Sequence, residues 1–144
     1  ADTALDFDTS HIYPGIPEYF RADGRGMYHY LTGAASWYMM TMITQAFGVR
    51  GEAGDLALEP KLTAGQFDAA GLAAVCVTFA GRRLEVCCRN PDGLDWGSYQ
   101  IGQVLCDGAE WTSGGERCLL VPRTTVEALA AGPVHRITVT LIPR

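Results

Sequence analysis

Several things are missing from this 144-residue chain, and each absence removes a class of function. No apolar run approaches the length of a membrane span. No basic cluster stands out: acidic and basic residues are mixed along the chain and sum to −5, which argues against nucleic acid as the main partner. There is no CxxC spacing among the five cysteines, Cys76, Cys87, Cys88, Cys106 and Cys118. An odd count without that spacing suits neither a disulfide framework nor a zinc site, so small apolar residues in a reducing cytoplasm are expected. His11, His29 and His135 lack metal-ligand spacing, and no metal is expected. Internal repeats and low-complexity segments are absent. The first residues, Ala1-Asp-Thr-Ala-Leu-Asp-Phe-Asp8, contain no initiator Met, basic leader or signal-like stretch. The expectation is a chain cut from something longer.

What is present is an ordinary apolar share, 48%, enough for one core, so one domain or one domain with an appendage is expected. Residues 1–33 are irregular and rich in rings. His11-Ile-Tyr-Pro-Gly-Ile-Pro-Glu-Tyr-Phe20 holds two prolines and a glycine, which no regular helix tolerates. Ala34–Phe47 then predicts a helix, with Thr32 as N-cap and Gly48 at the C-terminal glycine position. That helix carries no charge at all. A helix apolar nearly all round needs neighbours on most sides. The rest of this chain can cover only one side, so other helices are expected to be missing.

From Gly51 onward the period changes to two, as in Asp55-Leu-Ala-Leu-Glu-Pro60. Leu72–Phe79 and Arg83–Arg89 predict a hairpin. A type II′ turn at Gly81-Arg82 would set Phe79 opposite Leu84, Val77 opposite Val86, and Cys76 opposite Cys87. Such a cysteine pair could bridge under oxidation, although free thiols are expected. Asn90-Pro-Asp-Gly93 predicts a turn, Tyr99–Cys106 a strand closed by Asp107-Gly108, Cys118–Val121 a short strand, and Thr124–Ala131 a helical turn. Val134–Ile142 predicts a last strand with Val139 and Leu141 inward. The expected fold is mainly β: an antiparallel β-sandwich over 51–144, preceded by residues 1–50 as aromatic loop plus helix.

The candidate site is the helix entry, Tyr28-His-Tyr-Leu-Thr-Gly-Ala-Ala-Ser-Trp37. A helix start offers free N–H groups and a positive dipole end, Gly33 lets a ligand approach the backbone, and the Thr32 hydroxyl adds a donor. That combination suits phosphate. Taken alone, Thr-Gly is more often only a cap.

The run from Ile12 to Leu62, with Tyr-Pro-Gly-Ile-Pro-Glu-Tyr-Phe, Gly-Arg-Gly-Met-Tyr-His-Tyr-Leu-Thr-Gly-Ala-Ala-Ser-Trp-Tyr, Phe-Gly-Val-Arg-Gly and Leu-Glu-Pro-Lys-Leu, resembles the end of glycoside hydrolase family 94. These are the cellobiose, chitobiose and β-1,2-oligoglucan phosphorylases and the phosphorylase-like part of cyclic β-1,2-glucan synthases. Phe79-Ala-Gly-Arg-Arg-Leu-Glu-Val and Asn90-Pro are similar to the family's C-terminal sheet. Ile-Pro-Glu-Tyr-Phe with Gly-Met-Tyr-His-Tyr leans towards the β-1,2-glucan branch.

The resemblance implies that the helix is the last of an (α/α)6 barrel whose remainder is absent from this chain. It implies an inverting phosphorolysis of β-linked glucosides, with inorganic phosphate as co-substrate and no other cofactor. It carries phosphate contact over to Thr32 and Gly33, and places the general acid upstream of this chain, so neither Glu18 nor Asp23 takes that role. Tyr19, Arg25, Tyr28, His29 and Trp37 are candidate sugar or phosphate contacts, although packing is the commoner fate of loop aromatics such as these and Tyr13. The implied partners are the N-terminal barrel, a β-glucan or oligosaccharide, and phosphate, with a homodimer open. The fragment alone is expected to be inactive. The rival expectation is a non-catalytic carbohydrate-binding β-sandwich using Trp96, Tyr99 or Trp111, and a third is a β domain that only shields the barrel.

Overall fold

The computed structural model describes residues 19–23, 25–27 and 33–144. The chain divides into two compact units, Ala1–Thr41 and Met42–Arg144.

In the first unit, two short strands, β1 (Tyr19–Phe20) and β2 (Gly26–Met27), pair antiparallel around a turn. There the Asp23 carboxylate accepts from the Arg25 backbone N–H at 3.2 Å and pairs with Arg21 at 3.4 Å. Helix α1 (Gly33–Thr41) follows, and none of its residues is buried. Trp37, Tyr38, Met39 and Met40 are all more than half exposed. The helix expected to be packed on most sides thus has no buried residue.

The second unit begins with one π-helical turn (Met42–Ala46), closed where the Phe47 N–H donates to Met42 O at 2.9 Å. Gly48 ends it with φ +65°, in a space so tight that a Cβ would sit 1.8 Å from the Glu59 carbonyl oxygen. The strands are β3 (Val49–Glu52), β4 (Asp55–Leu58), β5 (Leu72–Phe79), β6 (Arg82–Arg89), β7 (Tyr99–Cys106), β8 (Ala109–Glu116), β9 (Leu119–Val121) and β10 (Val134–Pro143), with helix α2 (Arg123–Glu127) before the last. They form two sheets, a three-stranded β3-β4-β9 and a five-stranded β5-β6-β10-β7-β8. The fold is mainly β and sandwich-like, as expected. One shared core joins Leu56 and Leu58 of β4 to Leu84 and Val86 of β6, Ile101 and Val104 of β7, and Ile137, Val139 and Leu141 of β10. Every second residue of β10 from His135 to Leu141 is buried, because that strand lies at the centre of its sheet.

The structure departs from the sequence reading in four places. First, β10 runs parallel to β6 (Ile137 beside Val86) and antiparallel to β7, so one pair breaks the all-antiparallel pattern. Second, the β5–β6 turn is Ala80-Gly81, not Gly81-Arg82. Both residues have positive φ (48° and 71°), the mark of a type I′ turn. The register therefore moves by two: Val77 pairs with Leu84, Val75 with Val86, and Cys76 with Glu85. A shift of two keeps the same residues facing inward, so the apolar face survives while the Cys76–Cys87 juxtaposition does not. All five cysteines are free. Third, the alternation expected along β4 is lost, since Leu56, Ala57 and Leu58 are all buried. Fourth, β3 and β8 are strands that periodicity did not mark.

Candidate functional site

The expected phosphate site begins at Gly33, the first residue of α1 and an exposed one. Trp37, one turn further on, is 69% exposed on the same helical face. Arg25 is exposed beside the β1–β2 turn. Tyr19 lies in β1, opposite Met27. Thr32, Tyr28 and His29 lie outside the described residues, as do Tyr13 and Glu18. The described residues therefore bring Gly33 and Trp37 together on one helix, and contribute only backbone positions for Tyr19. The uncharged sequence of α1, with no acidic residue in its first turn, leaves the dipole at its start uncompensated by side chains of its own.

In the second unit, the aromatics named for a binding face separate. Tyr99 is buried: its hydroxyl donates to Leu62 O at 2.9 Å, with Pro60 O at 3.2 Å, and burial pushes the phenol up to about 12. Trp111 packs half-buried against the core. Trp96 alone of the three is solvent-facing, at 61% exposure.

Two charged clusters shape this unit. Arg50 lies between Glu52 (2.9 Å, a hydrogen bond) and Glu59, whose Oε2 sits 2.8 Å from Arg50 Nη1 as an ion pair. Lys61 also reaches Glu59 at 3.4 Å. Burial works to raise the Glu59 carboxyl, but Arg50 and Lys61 outweigh it and hold it below the usual range. The second cluster is built on His135, buried on the inner side of β10. Its Nε2 faces Ala130 O at 2.8 Å and its Nδ1 faces Asp107 Oδ2 at 2.6 Å. Both partners are acceptors, so only the doubly protonated imidazolium satisfies both. The Ala130 carbonyl first, and Asp107 second, raise its pKa. Asp107 is held low by His135 and by the Arg136 backbone N–H, 2.8 Å from Oδ1. This ties the β7–β8 turn to β10 and to the segment after α2. It is structural chemistry: both ring nitrogens of His135 are engaged, by Asp107 and the Ala130 carbonyl, which leaves neither to activate a nucleophile.

Among the described residues no group of three His, Cys, Asp or Glu gathers as metal ligands, and no helix is long and apolar enough to cross a membrane. The buried thiols of Cys88 and Cys106 are pushed up to about 12 and about 11 by burial, so neither is a ready thiolate. Sequence reasoning missed the arginines around Trp96: Arg117 and Arg144 come from distant segments, and no spacing connects them. No family model matches the chain, and no curated protein matches it.

Proposed function

We propose that this chain is the C-terminal part of an inverting glycoside phosphorylase, acting on β-linked glucosides of the β-1,2-glucan kind. One observation carries this reading: the uncharged helix α1, with no residue buried, opens at Gly33 within Leu31-Thr-Gly-Ala-Ala-Ser-Trp37, the stretch most like family 94. An apolar helix left bare is a helix whose neighbours belong to another part of the protein. In this reading the (α/α)6 barrel upstream supplies those neighbours, the sugar subsites and the general acid. Thr32 and Gly33 hold inorganic phosphate by a hydroxyl and a backbone N–H at the helix start. A phosphate oxygen attacks the anomeric carbon, the glycosidic C–O bond breaks, and the upstream acid protonates the leaving oxygen, giving a sugar 1-phosphate with inverted configuration. No cofactor is needed, and the enzyme works in the cytoplasm.

The test uses the parent polypeptide, this chain joined to the sequence encoded upstream of it. Thr32→Ala removes one hydrogen bond to a charged ligand, a loss of about 1.5–3 kcal/mol, or roughly 10- to 100-fold. That loss should appear as a raised KM for phosphate with the KM for glucan unchanged. A parent protein that hydrolyses glucan without phosphate, or a Thr32→Ala variant with an unaltered phosphate KM, removes the basis for the reading.

A further inference from the structure

Five chain segments of the second unit converge on one surface cleft of about 110 Å³: Glu59 just after β4, the loop at Trp96, the start of β7 at Tyr99 and Gln100, the β8–β9 turn at Arg117, and Arg144 after β10. Tyr99 makes a rigid floor, because its hydroxyl is anchored to the Leu62 carbonyl. Trp96 offers an exposed indole on the wall. Neither Arg117 nor Arg144 has a side-chain carboxylate partner among the described residues; the Arg144 guanidinium donates to Gly97 O at 3.3 Å. The acid on the rim, Glu59, is already held by Arg50 and Lys61. In a chain of net charge −5, the cleft therefore carries two guanidiniums with no side-chain carboxylate partner among the described residues, together with one exposed aromatic ring.

We propose that this cleft binds a single sugar ring carrying an anionic group. The indole suits the apolar C–H face of a pyranose, and planar guanidiniums suit the oxygens of phosphate or carboxylate. The volume is below the range of about 300–1,000 Å³ found for drug-sized ligands, which fits one ring and excludes an extended oligosaccharide. The cleft is built wholly from residues of the second unit and shares none with the helix entry at Gly33, so it stands whether or not the phosphorylase reading does.

The 144-residue chain is titrated with glucose 1-phosphate, glucuronate, glucose and inorganic phosphate, following the Trp96 indole N–H by NMR. The expected result is that at least one anionic sugar shifts that resonance at millimolar concentration, more tightly than glucose or phosphate. Which of the two binds identifies the anion as phosphate or carboxylate. Trp96→Ala, followed through the amides of Gly97 and Gln100, should weaken binding about tenfold. Arg117→Ala should weaken the anionic sugar and not glucose, while Arg89→Ala, outside the cleft, should change nothing. Four flat titrations, inorganic phosphate binding as tightly as the sugar phosphate, or undiminished binding in Trp96→Ala with a native amide spectrum would each overturn the proposal.

Discussion

His135 is buried between two acceptors, and together with Asp107 it gives the β unit a pH dependence. Its pKa is raised in the fold above the ordinary 6.5, first by the Ala130 carbonyl and then by Asp107. A raised cation favours folding fully below the unfolded value, and the contribution fades as pH rises through the folded one. Asp107 is lowered from 3.8, so its contribution holds above that value and fades as pH falls through the lower folded one. The pair therefore stabilises most between the two. The thermal midpoint should decline as pH climbs beyond about 6.5, and His135→Asn should flatten that decline while lowering the midpoint at pH 6. A wild-type midpoint that rises over the same range would refute this account of the latch.

Among the elements, the three tight hairpins share one device. Ala53-Gly54, Ala80-Gly81 and Asp107-Gly108 all place both residues at positive φ, as type I′ turns require. Asp tolerates that conformation; Ala does so at a cost of about 1–2 kcal/mol. Ala80→Asn should thus stabilise by about 1 kcal/mol, read as a higher denaturant midpoint with unchanged slope. The opposite holds at Gly48, where a Cβ would strike the Glu59 carbonyl. Gly48→Ala should lose about 3 kcal/mol or more, combining left-handed backbone strain with a clash against fixed main chain.

These turns also explain what the sequence could and could not reveal. Strand β7 was legible to the residue, because Tyr99, Ile101, Val104 and Cys106 alternate closely enough to define a buried face and Asp107-Gly108 closes it. The inward positions of β10 were legible for the same reason. The β5–β6 register was not, because alternation fixes a face and leaves a slip of two residues free; the turn decides, and Ala80 hides a left-handed position behind an unremarkable side chain. Strand direction is equally silent in alternation, hence the unforeseen parallel β6–β10 pair. Strand β8, Ala-Glu-Trp-Thr-Ser-Gly-Gly-Glu, is too polar and glycine-rich to announce itself; it exists because β7 offers it an edge. Along the helix, the uncharged run and the closing Gly48 were readable, whereas the cleft at Trp96 brings together residues up to 85 positions apart (Glu59 to Arg144).

At the scale of the molecule, the core lies wholly between Val49 and Leu141, and none of it comes from α1. The chain from Met42 to Arg144 should therefore unfold cooperatively with nearly the midpoint of the 144-residue chain, whereas Ile137→Ala, in the central strand, should cost about 2–5 kcal/mol in either. The bare helix is the reverse case: a segment that adds little to this core and, in the phosphorylase reading, belongs to another. The most direct measurement is phosphate-dependent release of sugar 1-phosphate from a β-1,2-linked oligoglucan, made with this chain alone and then mixed with the polypeptide encoded upstream of it. The account predicts no release from the chain alone and release from the mixture, with both components required. Release by the chain alone, or none from a mixture shown to assemble, would contradict it.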